Sequence, residues 1–246
     1  NGIINFMGGV GALIAFFGGK ALYDKNVCYP FIAGGIFMFI ACILVVIFMN
    51  EDKSADPAET GGNSFILKDS IKSLTQNLKD VITGEKSLLF ILLAIFFWFV
   101  SYNAIEAFFT LYSVHHLRLP EADGARLLGQ LSVIFVLFSL PSGFIGAKIG
   151  RKVTIIMGIV LMAAMMLLMY LLPASTLTIQ LTKLPVLGVV PVVGLILMFA
   201  GLAWALINVN SLPMVVDMTE DSRVGTYTGL YYLFSTMAAI LGPNIN

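Results

Sequence analysis

An all-α integral membrane protein is predicted by three observations: a composition starved of charge, repeated apolar runs of spanning length, and no strand-like period in any of them. Hydrophobic residues make up 59% of the chain and charged residues 11%, and mean hydropathy is +0.94. A soluble domain carries about 45–50% apolar and about 25% charged residues, so this chain has too little charge to cover a water-soluble body. Crossing the hydrocarbon core takes about 20 mostly apolar residues in a helix. Unpaired backbone is not tolerated in lipid, and no run alternates with a period of two, so the spans are helices rather than barrel strands. The formal net charge of zero argues against a nucleic-acid partner, which needs a basic excess.

Seven spans are predicted in order: 1–19, 30–49, 87–113, 127–146, 153–173, 186–210 and 226–246. The chain opens at Asn1 inside an apolar run and closes at Asn246 with another barely complete. It is therefore read as an internal piece of a longer protein, with no signal peptide to interpret, and not expected to transport alone. Cys28 and Cys42, 14 residues apart, would lie about 21 Å apart along a helix, beyond disulfide reach. After the second span, "NEDKSADPAETGGNS" is polar with Pro and paired Gly and reads as a flexible linker. Leu67, Ile71, Leu74, Leu78 and Val81 then recur at helical spacing with Lys68, Lys72 and Lys79 off the stripe. This pattern predicts an amphipathic helix at the membrane surface or the face of a bundle. The expected domains are thus 1–49, a linker at 50–86, and 87–246.

Orientation follows from the basic residues. The connections 50–86, 147–152 and 214–225 hold Lys53, Lys68, Lys72, Lys79, Lys86, Lys148, Arg151, Lys152 and Arg223. The alternate connections hold Lys20, Lys25, Arg118, Arg126 and Lys183. The first set is expected in the cytoplasm. His115 and His116 then lie outside and are read as a solvated pair rather than a metal site; no metal and no organic cofactor are expected.

Two spans, a long basic connection and five more spans fit the middle of a twelve-helix transporter, from the fifth to the eleventh helix. The loop "GFIGAKIGRKVTI" resembles the signature of the major facilitator superfamily: Gly, three variable residues, Asp, Arg, one variable residue, Gly, Arg, and Lys or Arg. Gly143, Gly150, Arg151 and Lys152 match, Lys148 replaces the first Arg, and Ala147 stands where the Asp would be. Taken alone, a short basic loop is also an orientation anchor. Within that family, "GLAWALINVNSLPMVV" and "GTYTGLYYLF…GPNIN" resemble helices ten and eleven of the glycoside–pentoside–hexuronide:cation symporters and the related sucrose–proton symporters. Gly201, Trp204, Ala205, Pro213, Gly225, Tyr227, Gly229 and Pro243 carry that match. The resemblance implies cation-coupled symport of a sugar or other small polar solute, by alternating access in the plasma membrane. The full-length protein would be a monomer, with a proton or sodium as coupling ion. The family's internal symmetry further implies that Arg151 approaches Asp217 or Glu220, with Arg223 nearby, as a cytoplasmic gate. Separately solvated loops are the plainer alternative.

The chemistry available to such a protein is sparse. Glu106 is the carboxylate that stands deepest in an apolar span. An ionised group at that depth costs at least about 2.5 kcal/mol, so it should face a cavity or a partner; a structural Glu near the headgroups is the alternative. Trp98, Tyr102 and Glu106 follow at intervals of four, with Asn103 alongside. An aromatic ring can stack on a sugar face, and amides and carboxylates can bind hydroxyls. In the tenth helix Gly201, Trp204, Asn208 and Ser211 are expected on one face and Asn210 on the other. Each amide suits either a cavity or an interhelical hydrogen bond, the latter especially for Asn210. Pro213 should bend the helix near Leu212. The expected binding residues are Trp98, Tyr102, Asn103, Glu106, Trp204 and Asn208. A seven-helix receptor has the right span count, although truncation makes that count accidental. A retinal protein would need a Lys in the last span. An intramembrane enzyme would need paired carboxylates, an activated nucleophile or metal ligands at depth, and the sequence offers none. A lipid or drug transporter on the same fold is the strongest competitor.

Overall fold

The computed structural model describes residues 2–23, 25–48, 86–185, 187–220 and 223–244. The expected linker and amphipathic helix fall outside these residues. The chain divides into two compact units, 19–89 and a larger one formed by 1–18 with 90–246.

The smaller unit holds helices α2 (Gly19–Tyr23) and α3 (Tyr29–Phe48). Asn26 turns the chain between them: its Oδ1 accepts the Cys28 N–H at 2.8 Å, the local bond for which Asn suits turns. Pro30 follows at the second position of α3, where a missing N–H costs nothing. α3 is apolar on every face and has no buried side chain. Cys28 and Cys42 are free and exposed.

The larger unit begins with α1 (Gly2–Leu13), which runs into a π-helical turn over Ile14–Gly18. The long helices follow: α4 (Lys86–His115), α5 (Glu121–Ile149), α6 (Arg151–Leu171), α8 (Val192–Val216) and α9 (Val224–Leu241), which closes in a 3-10 turn at Gly242–Asn244. A short helix α7 (Ala174–Leu177) and an antiparallel hairpin, β1 (Gln180–Leu184) with β2 (Gly188–Pro191), lie between α6 and α8. Among the described helices, α3, α4, α5, α6 and α8 are long and apolar enough to cross a membrane.

Helix α8 is the core of this unit, packed along its length by α5 and α6. Small residues decide this. A Cβ on Gly201 would strike the backbone carbonyl of Leu131 on α5, and one on Gly158 of α6 would come within 2.8 Å of the Ala203 carbonyl. In lipid, helices gain nothing by hiding apolar surface from water. Close backbone approach therefore sets which helices pair.

Two expectations about spans change. The span expected at 186–210 starts at Val192 and continues to Val216, because Gly188 takes φ +70° and Gly188–Pro191 pair into the hairpin instead. Gln130, fully buried on α5, donates from Nε2 to Leu187 O and Val189 O at 2.9 Å each and so pins that hairpin. Pro213, near which a bend is expected, lies inside the helix. It lies in the last turn, where the Ser211 hydroxyl donates to Asn208 O at 2.8 Å. The loop expected at 147–152 shrinks to a single residue: α5 ends at Ile149, α6 starts at Arg151, and Gly150 turns between them at φ +97°. That angle lies in the region where L side chains are strained.

Candidate functional site

Two grooves open in the larger unit, and one pair of rings borders both. Tyr102 on α4 stacks on Trp204 on α8 with centroids 3.8 Å apart and planes 3° from parallel. Phe99 meets Trp204 edge-on at 5.2 Å. The larger groove, about 410 Å³, lies among α4, α6 and α8, and its walls include Phe97, Trp98, Met162 and Met166. The other, about 350 Å³, is bordered by Asn5, Gly8, Gly9 and Ala12 of α1, Tyr102 and Glu106 of α4, Leu131, Ser132 and Phe135 of α5, and Trp204. Both fall within the roughly 300–1,000 Å³ of small-molecule sites. The second contains the chemistry, because Glu106 brings a carboxylate to it.

Helical spacing explains how one stripe serves two grooves. Each step of four residues overshoots a full turn by about 40°, so Trp98 and Glu106 lie on opposite sides of Tyr102. Trp98 borders the larger groove and Glu106 the smaller. Trp98 is nine-tenths buried, and its indole N–H has no acceptor among the described residues. Trp204 is also buried, with one face covered by Tyr102. It therefore backs the groove rather than offering a free face to a sugar.

The two expected amides stand elsewhere. Asn103 Nδ2 donates to Phe99 O at 2.7 Å, and its Cβ packs where Gly242 leaves room. It borders neither groove, because one position beyond Tyr102 turns it by about 100° toward α9. Asn208 is half-buried and also borders neither. The expected common face of α8 splits: Gly201 meets α5, Trp204 borders the grooves, and Ser211 pairs with the Tyr231 hydroxyl of α9 at 3.0 Å. Asn210 makes the interhelical bond, donating to Ser142 O at 3.1 Å and to Leu206 O at 2.9 Å. Its amide fills the space left by Gly146 on α5.

At the end of the unit where α5 gives way to α6, Arg151 Nε lies 2.6 Å from Asp217 Oδ2, the approach anticipated from the sequence. Both side chains remain partly exposed. A Cβ on Gly143 would make only ordinary contact with Val209, Gly150 supplies the positive φ, and Lys152 and Glu220 are exposed. Arg223 sits over the Tyr227 ring, 5.4 Å from its centroid. At the opposite end His116 stacks on Tyr112 with centroids 5.0 Å apart. No group of three His, Cys, Asp or Glu that could hold a metal occurs among the described residues.

Sequence reasoning missed Asn5, Gly8 and Ser132 as groove residues and Gly146 as a packing residue. A lone serine or glycine in an apolar helix carries no signal until its neighbours are known. None of the curated proteins matches the chain. The family model of the Major Facilitator Superfamily matches residues 1–243, and its transporters are multi-pass, mainly helical membrane proteins, as these helices require. The chain belongs to the major facilitator superfamily.

Proposed function

We propose that this transporter moves a small polar solute, a sugar first among them, together with a proton or sodium across the plasma membrane. It acts as a monomer, by rocking two helix bundles around the groove that Glu106 enters. One observation supports this reading above the rest: a carboxylate deep in an apolar helix opens onto a groove walled by a stacked aromatic pair and by amide and hydroxyl side chains. A charge so placed is costly unless a cation or polar ligand meets it. Glu106 then takes the coupling ion or a solute hydroxyl, and Tyr102 holds the solute against an apolar wall backed by Trp204. Trp98 contributes from the neighbouring groove. Asn103 and Asn208 act through the packing of their helices. Gly143, Gly150, Arg151, Lys152, Asp217, Glu220 and Arg223 form the cytoplasmic gate.

Uptake of radiolabelled glucose and sucrose into proteoliposomes carrying the transporter, at varied pH and sodium, tests the reading. Accumulation driven by a proton or sodium gradient is expected, and uptake indifferent to both gradients would overturn the coupling. The larger groove favours a second reading. Its Phe97, Met162 and Met166 walls suit a hydrophobic drug or a lipid chain, and transport of such compounds with no sugar uptake would select it.

A further inference from the structure

Seven of the buried polar side chains on these helices satisfy their own donor locally. Ser113, Ser139, Ser142, Ser211 and Ser235 each donate to the carbonyl three residues back, Thr154 to the carbonyl four back, and Asn210 to Leu206 O. This is the ordinary fate of a hydroxyl in a helix, and in an apolar setting it costs little. Ser132 is the serine that departs from it. It is nine-tenths buried and borders the Glu106 groove, and its hydroxyl has no hydrogen bond among the described residues. It also borders a crevice of about 10 Å³ shared with Tyr102 and Glu106, about the volume one water occupies. Because Ser132 borders the groove, its hydroxyl is open to a ligand rather than sealed in the packing.

The facing wall belongs to α1, and its two glycines do different things. A Cβ on Gly9 would strike Val136, so Gly9 lets α1 lie close on α5. A Cβ on Gly8 would meet nothing within 4 Å, although Gly8 borders the groove. Gly8 is therefore not needed for packing, and in a helix it costs about 1 kcal/mol relative to Ala. What it leaves is open space on the wall of the groove that Ser132 also borders.

We propose that Ser132 and Gly8 form the specificity subsite of the transported solute: Ser132 Oγ hydrogen-bonds an uncharged hydroxyl or carbonyl of the solute, and the missing side chain at Gly8 sets how large that part of the solute can be. This rests on the reading of the Glu106 groove as the transport site and assigns it two further residues. The polar partner that Ser132 lacks is then the solute itself, and the volume that Gly8 leaves is occupied during each cycle.

Two measurements test the subsite. The first does not depend on knowing the solute. With Cys28 and Cys42 replaced by Ser, Ser132→Cys should react with a water-soluble methanethiosulfonate reagent, and adding Gly8→Leu should slow that reaction about tenfold or more by filling the groove. An unreactive Cys at 132, or a rate indifferent to Gly8→Leu, overturns the proposal even if transport is never observed. The second uses whichever of glucose and sucrose the transporter carries. Ser132→Ala should raise KM about three- to tenfold, the value of one neutral hydrogen bond, leave kcat near wild type and leave the proton or sodium dependence unchanged. Gly8→Val should raise KM for sucrose more than for glucose. A shift in ion dependence without a change in KM would assign Ser132 to the coupling ion and overturn its role toward the solute. Failure of all sugar uptake with the labelling pattern intact would count against the sugar reading and leave the subsite standing.

Discussion

Glu106 brings to an apolar helix a carboxylate whose charge lipid would reject, and its position relative to Tyr102 determines what it can do. The interval of four was legible in the sequence, and so was the expectation that such a group avoids lipid. What the interval could not give was the 40° drift per step, which sends Trp98 to one groove and Glu106 to the other. Nor could it place Asn103, whose amide is consumed by the Phe99 carbonyl at 2.7 Å. These placements lead to a paired expectation. Glu106→Gln keeps shape and removes charge, so ion-driven uptake should fall about tenfold or more, the value of a hydrogen bond to a charged group, with membrane insertion unchanged. Asn103→Ala should leave KM unchanged and act on stability alone. Both are read from initial uptake rates normalised to protein in the membrane, and wild-type ion-driven uptake by Glu106→Gln would make Glu106 structural.

At the scale of elements, the sequence showed where most spans lie but not which helix is central. Helices α3, α4, α5 and α6 fall within a few residues of their expected bounds, except that α5 starts six residues early. Apolar character cannot rank them, since lipid-facing and buried surfaces are both hydrophobic. Small residues do rank them: Gly201 and Gly158 mark where α8 meets α5 and α6. The hairpin went unseen because β2 adjoins an apolar helix and reads as part of it, while β1 alone is too short and polar to signal a strand. Gly201→Leu is expected to abolish folding, because the obstructing atom is backbone. Gly201→Ala should cost about 1–3 kcal/mol by overpacking, seen as a lower unfolding midpoint in detergent. Asn210→Ala removes two interhelical or local bonds and should cost about 1 kcal/mol. An unchanged midpoint for both Gly201→Ala and Asn210→Ala would deny these contacts their role.

The polar ends tell how the whole molecule sits in the membrane. Arg151 and Asp217 join the start of α6 to the end of α8, two helices that already pack along their length. Partly exposed on both sides, the pair is worth about 0–1 kcal/mol as a stability term. Its effect is therefore expected on the movement of this end rather than on folding. Reversing both charges should restore uptake lost by either reversal alone, and failure of that rescue would count against a gate. The same contact puts the α5–α6 junction and the end of α8 at one end of the unit, while His116 and the hairpin lie at the other. Lys148, Arg151 and Lys152 cluster at the first end, so that end is expected to face the cytoplasm. Ser113, at the end of the span expected at 87–113, is fully buried with Gly124 packed on it, so exposed positions must report topology. With Cys28 and Cys42 replaced by Ser, Ala147→Cys should label with an impermeant maleimide only after the cell membrane is opened. His116→Cys should label in intact cells. Labelling of both from the same side would break the topology, and with it the assignment of Arg151 and Asp217 to a cytoplasmic gate.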